Sequence, residues 1–190
     1  MKPALIIIDI QNDYFPGGKM ELEGSREASL EAAKLLASFR TKGLPLVHIQ
    51  HVSNRSGASF FLPDTDGVNI HANVAPRAGE TVLQKNFPNS FRATKLLEHL
   101  RGLGADHLVI AGMMTHMCVD ATTRAAFDLG FSCSLAHDAC ATRALVFGEQ
   151  RVPAAQGHAA FLAALNGLYA KVQRRGGRSG NCALGLPAPV

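Results

Sequence analysis

Four residues in a row, Leu108-Val-Ile-Ala111, carry no polar side chain. A strand with one wet face alternates apolar and polar positions, so this run fits a strand covered on both sides. Gly112 to Met117 breaks the run. From Cys118 onward, Val119, Thr122, Thr123, Ala126 and Leu129 recur at helical spacing, and Gly130 supplies a stop. A cysteine therefore lands in the first turn of a helix, directly after a buried strand. There the unpaired N–H groups and the positive end of the helix dipole favour thiolate over thiol. The same strand–turn–helix placement presents the serine of hydrolase elbows. At this one position, a small buried cysteine with no chemistry is the plainer alternative. The choice rests on what else reaches the sulfur.

The apolar run has counterparts. Ala4-Leu-Ile-Ile-Ile8 repeats it and ends at Asp9. Ser25 can cap a helix through Leu30, Ala33, Leu36 and Phe39, stopped by Gly43. Leu44 to Val52 reads as a second strand and Thr81 to Lys85 as a third. Asn89 or Ser90 opens a helix carrying Phe91, Leu96, Leu97 and Leu100. Phe131 to His137 is a fifth strand, Pro153 to Leu165 a helix, and Tyr169 to Val172 a short sixth strand. Strands alternating with helices imply right-handed βαβ units, hence an α/β fold with a parallel sheet covered on both faces. Residues 1–173 form one domain on this reading. The aperiodic, polar segment 53–79 is long for a loop, and such loops are usually functional or disordered. Residues 174–190 hold four glycines, two prolines and three arginines without an apolar face, and read as a flexible tail.

The net charge of +4 is misleading. Lys171, Arg174, Arg175 and Arg178 supply all of it, so residues 1–170 balance to zero. A neutral body argues against nucleic-acid binding. The first apolar run is too short for a membrane span or a signal sequence, which leaves a cytoplasmic protein as the expectation. Cys118, Cys133, Cys140 and Cys182 form neither a C-x-x-C pair nor a zinc-type spacing.

Asp9 ends the first strand, Lys85 ends the third, and Cys118 follows the fourth. In an open parallel sheet all three lie at the carboxyl edge, where ligands bind. A carboxylate there can take a thiol proton, and an ammonium can stabilise the resulting thiolate. Separately, Asp9 has a turn to cap and Lys85 has solvent to face. Their convergence on one edge with a cysteine favours acyl transfer.

Three segments, Ala4-Leu-Ile-Ile-Ile-Asp-Ile-Gln-Asn-Asp-Tyr-Phe15, Lys85…Ser90-Phe91…Thr94 and Gly112-Met-Met-Thr-His-Met-Cys-Val-Asp-Ala-Thr122, resemble those of the isochorismatase-like cysteine hydrolases. Asp138-Ala139 fits as well, and the likeness spans about residues 3–172. It implies a three-layer α/β/α fold with a six-stranded parallel sheet. It further implies an Asp–Lys–Cys triad that hydrolyses small amides and ureides through a thioester. By that resemblance Asp9 is the general base and acid, Lys85 its electrostatic partner and Cys118 the nucleophile. A cis peptide at Met113–Met114 and an oxyanion hole from the N–H groups of Met114 and Cys118 are implied too. Phe15, His51, Phe61 and His116 are candidates for the substrate pocket. Relatives are commonly homo-oligomers, so a homo-oligomer is the expectation here.

Metal-dependent nicotinamidases of this kind carry Gln-Asp-x-His after the second strand. Here Gln50-His51-Val52-Ser53 puts His51 at the carboxylate position and Ser53 at the histidine position. His48 and His51, three apart on a strand, point to opposite faces. No catalytic metal and no cofactor are therefore expected. Isochorismatases proper cleave a vinyl ether without the cysteine, so Cys118 favours C–N hydrolysis of a small-molecule amide, lactam or ureide. Two alternatives stay open: a metal-assisted nicotinamidase-type hydrolase using His51, His71 and Asp64 or Asp66, and a non-catalytic ligand-binding module.

Overall fold

Pro3–Ile8 forms β1 and is buried at every position. A computed structural model of the chain describes residues 1–175. After β1 come α1 (Ser25–Thr41), β2 (Leu46–His51), β3 (Thr81–Lys85), α2 (Leu96–Gly102) and β4 (His107–Met113). They are followed by α3 (Asp120–Asp128), β5 (Ser132–Ala141), a hairpin of β6 (Leu145–Phe147) and β7 (Gln150–Val152), α4 (Ala154–Leu165) and β8 (Lys171–Gln173). The main sheet has six strands in the order β3-β2-β1-β4-β5-β8. Every pairing in it is parallel.

Successive residues of β1 and β4 feed opposite faces, as strand pleating requires. Leu5, Ile7, Val109 and Ala111 pack with Ala32, Leu35, Leu36 and Phe39 of α1. Ala4, Ile6, Ile8, Leu108 and Ile110 pack with Leu96 and Leu100 of α2, Ala126 of α3, and Leu162 and Leu165 of α4. The fold is thus three-layered α/β/α. Strand order reverses between β1 and β4, and the crevice at their carboxyl ends is where such sheets take ligands.

Close approach at this reversal depends on Gly112. Its φ is 142°, and a Cβ there would fall 2.1 Å from the Ile8 carbonyl oxygen. The β4–β5 register shifts between Ile110 and Gly112.

Several expected boundaries move. Ser25 is the first residue of α1 and buried, while Gly24, with φ 75°, takes the cap position. The helix expected from Asn89 or Ser90 begins only at Leu96. The Ser90 hydroxyl is engaged with Thr122 at 2.9 Å, and the Thr94 hydroxyl accepts the Leu96 N–H at 3.2 Å. Phe91 consequently lies outside that helix, stacked on Phe131. β5 runs four residues past His137. Cys118 lies in a single π turn, Thr115–Val119, ahead of the regular α3 rather than in its first turn.

Segment 53–79 is pinned rather than loose. The Asp13 carboxylate accepts the N–H groups of Phe61 (2.6 Å) and Lys19 (3.1 Å), and Gln11 donates to the Val68 carbonyl at 2.7 Å. Arg175 donates its backbone N–H to Asp138 and its guanidinium to Glu31. The rest of the segment read as a tail, 176–190, lies outside the described residues. No helix among the described residues is long and apolar enough to cross a membrane.

Candidate active site

Asp9, Lys85 and Cys118 are brought together at the strand-order reversal, with 0, 2 and 3 % of their surfaces exposed. Asp9 leaves β1 with a left-handed φ of 50°, a region that aspartate tolerates better than most residues. Lys85 is the last residue of β3, and its ammonium lies 2.7 Å from Asp9 Oδ2. The same ammonium reaches His51 Nδ1 at 3.2 Å and the carbonyls of Phe87 (3.1 Å) and Pro88 (3.3 Å). Four acceptors around one buried cation explain how it is held in a dry site. Burial works to lower the Lys85 pKa, but Asp9 and Cys118 outweigh it and the group is held above its ordinary value.

The Asp9–Lys85 contact is a buried ion pair. Both Asp9 oxygens are shut off from solvent, and Lys85 and Cys118 are the groups that face the carboxylate. The thiol of Cys118 is within reach of both Asp9 and Lys85. A buried carboxylate with spare lone pairs beside a thiol is placed to receive its proton. Burial, followed by the Asp9 charge, pushes the Cys118 thiol well up, with Lys85 opposing. Both effects favour the protonated thiol. This direction opposes the helix-end effect, because the π turn puts the sulfur beside a carboxylate in a dry site.

The π turn is latched to the end of β5. The Thr115 hydroxyl donates to the Ala141 carbonyl at 3.2 Å and pairs with His158 Nδ1 at 2.9 Å. His116 Nδ1 pairs with the Thr142 hydroxyl. The Met114 carbonyl accepts from Met117 and Val119. The Met113–Met114 peptide is cis.

The remaining candidates separate into two groups. His51 and Phe61 flank the triad, with ring centroids 5.9 Å apart. Burial lowers the His51 pKa, with Lys85 adding to the effect against Asp9, so the ring is neutral near pH 7. Phe61 also packs on Tyr14 at 4.6 Å. Phe15 stacks on His71 at 3.6 Å and lines a cleft with Asn12, Lys19 and Asp66. His116 is turned toward Thr142 and Phe161. The metal set His51, His71 and Asp64 or Asp66 is not assembled. Among the described residues, the metal-competent cluster is Asp9, His51 and Cys118.

Two further side chains bear on the site, and of these Arg143 went unread in the sequence. Tyr14 is buried, and desolvation with the charges of Cys118 and Asp9 raises its pKa, so it remains a phenol. The charge of Arg143 is felt at both Tyr14 and His116. Its Nε is buried and has no hydrogen-bond partner among the described residues. Arg143 follows the carboxyl end of β5, so the edge rule that selects Asp9, Lys85 and Cys118 would have selected it as well.

Comparison with known proteins places this arrangement. The isochorismatase domain model matches residues 3–175. An uncharacterised isochorismatase family protein of Bacillus subtilis (strain 168) is 50 % identical over 173 residues, covering 91 % of this chain and 96 % of that one. The crystal structure of a putative isochorismatase hydrolase from Oleispira antarctica superposes with a TM-score of 0.88 at 52 % identity, covering 91 % of this chain and 93 % of the other. A maleamate amidohydrolase of Pseudomonas putida (strain KT2440) is 34 % identical over 144 residues, covering 68 % of each chain. With the domain model matched from β1 to the last described residue, the chain belongs to the isochorismatase family of hydrolases.

Proposed function

We propose that the protein is a thiol-dependent, metal-free amidohydrolase acting on a small amide or ureide that also bears an acidic group. The observation carrying this reading is the buried Asp9–Lys85 pair, 2.7 Å apart, in reach of the Cys118 thiol. Asp9 accepts the thiol proton while the sulfur attacks the carbonyl carbon. Lys85 steadies the negative charge as it moves from carboxylate to sulfur. The N–H groups of Met114 and Cys118 receive the oxyanion. Collapse breaks the C–N bond, and the leaving nitrogen takes the proton back from Asp9. A water activated by Asp9 then cleaves the thioester, releasing acid and free thiol.

The acidic group on the substrate is inferred from Arg143. A buried guanidinium nitrogen without a partner is costly, and a carboxylate offers the planar, two-oxygen acceptor that guanidinium fits best. The relative named for maleamate, a molecule with a carboxylate beside its amide, supports the same class. A panel of small amides and ureides, with and without a carboxylate, assayed by ammonia release, tests the proposal. Turnover is expected among the acid-bearing members and lost in Cys118→Ala. Undiminished turnover by Cys118→Ala on every amide the native protein cleaves would refute it.

A further inference from the structure

We infer that the pocket is also a binding site for a thiophilic divalent cation such as Zn²⁺, held by Asp9, His51 and Cys118, and that such an ion silences the enzyme. Nothing in the hydrolytic scheme requires this ion. It arises because the residues that accept a proton and attack a carbonyl are also metal donors.

The donor atoms of these three side chains all lie within 4.8 Å of one another. Ligands on a tetrahedral zinc stand about 2.0–2.3 Å from the ion, which puts any two of them about 3.3–3.6 Å apart. Closing the difference takes side-chain rotation, with no change of fold. The donor set is one carboxylate, one imidazole and one thiolate, a mixture that suits zinc and excludes magnesium and calcium. Three protein ligands leave one position open for water. Asp9 offers two buried oxygens, and His51 turns Nδ1 into the same space, where it meets the Lys85 ammonium.

A cation already occupies this space. The Lys85 ammonium contacts Asp9 Oδ2 at 2.7 Å and His51 Nδ1 at 3.2 Å, two of the three donors the metal would use. Binding is therefore an exchange. The ammonium withdraws toward the Phe87 and Pro88 carbonyls, which it already contacts. The Cys118 S–H bond breaks, its proton leaves to solvent, and a sulfur–metal bond forms without oxidation or reduction. Lys85 thus serves as the competitor that keeps the ion out when metal is scarce. Once bound, the ion holds both the attacking sulfur and the base, so hydrolysis stops.

The test uses Cd²⁺ as an optical stand-in, because a sulfur–cadmium bond gives an ultraviolet charge-transfer band. Titration of the full-length protein is expected to give a saturable band that Cys118→Ser abolishes, although Cys133, Cys140 and Cys182 remain. His51→Asn should weaken binding at least tenfold, and Lys85→Met should tighten it by removing the competitor. In the unmodified protein, Zn²⁺ should slow alkylation of Cys118 by iodoacetamide, mapped by peptide mass spectrometry, without slowing alkylation of Cys133. A band that survives Cys118→Ser, an affinity indifferent to His51→Asn, or a Cys118 that Zn²⁺ leaves unprotected would each overturn the inference. None of these readouts requires turnover, so the metal site and the amidohydrolase reading stand or fall separately.

Discussion

Lys85 carries the electrostatics of the site, because it is the charge that opposes both burial and Asp9 at the sulfur. Lys85→Met should therefore raise the pH midpoint of Cys118 alkylation by about one unit or more, since the thiolate loses its nearest counter-charge. Alkylation rates of both proteins across the alkaline range check this; an unchanged midpoint would place the ammonium away from the sulfur. On the proposed reading, Arg143 acts on the substrate rather than on the thiol. Arg143→Gln should lower kcat/KM for acid-bearing amides by about 10–100-fold, the range expected for losing a hydrogen bond to a charged group, and leave uncharged amides nearly unaffected. Equal losses on both substrate types would mean that Arg143 supports the fold and not specificity.

At the scale of elements, the site exists because β1 and β4 approach closely enough to set Asp9 beside the π turn. Gly112 permits that approach, with no room for a Cβ against the Ile8 carbonyl. Gly112→Ala should cost about 2 kcal/mol or more, given both the clash and the positive φ, and a denaturant titration measures it. Activity should fall further than stability, because the carbonyl that must move belongs to the residue before Asp9. The elements themselves were largely legible. Uninterrupted apolar runs at 4–8 and 108–111 announced buried parallel strands, and strand ends alone put Asp9, Lys85 and Cys118 on one edge. Less legible were features set by tertiary partners. Ser90 has a good capping side chain, yet Thr122 engages it and α2 starts six residues later. The sequence around Cys118 reads as one continuous helix, because the apolar spacing from Val119 onward belongs to the regular α3 and nothing in it marks the i→i+5 turn just ahead. The partners of His116 and Phe15, Thr142 and His71, could not be read from sequence position.

For the molecule as a whole, β3 must be held in register to present Lys85, and a buried polar cluster ties its approach to the opposite layer. Arg40 of α1 grips Glu80 through two bonds of 2.6 and 2.7 Å, while His48 of β2 and the Arg77 N–H approach the same carboxylate. Hydrogen bonds from Arg40, opposed by burial, hold the Glu80 carboxyl down to about 2. The folded value lies below the unfolded one, so this stabilisation is complete above about pH 5 and fades as the pH falls toward 2. Glu80→Gln should accordingly lower the unfolding free energy by ~1–3 kcal/mol at neutral pH, and the gap to the native protein should narrow with acidification. Chemical denaturation at several pH values measures that gap; a constant difference would uncouple Glu80 from Arg40.

In the proposed mechanism Cys118 becomes the covalent nucleophile when Asp9 takes its proton. The most direct measurement is acid quenching of the native enzyme during turnover of an amide from the panel, followed by peptide mass mapping. The account predicts the mass of the substrate acyl group on the peptide containing Cys118, and neither adduct nor ammonia release from Cys118→Ala. Ammonia release at the native rate by Cys118→Ala, or an acyl group carried on a different residue, would contradict it.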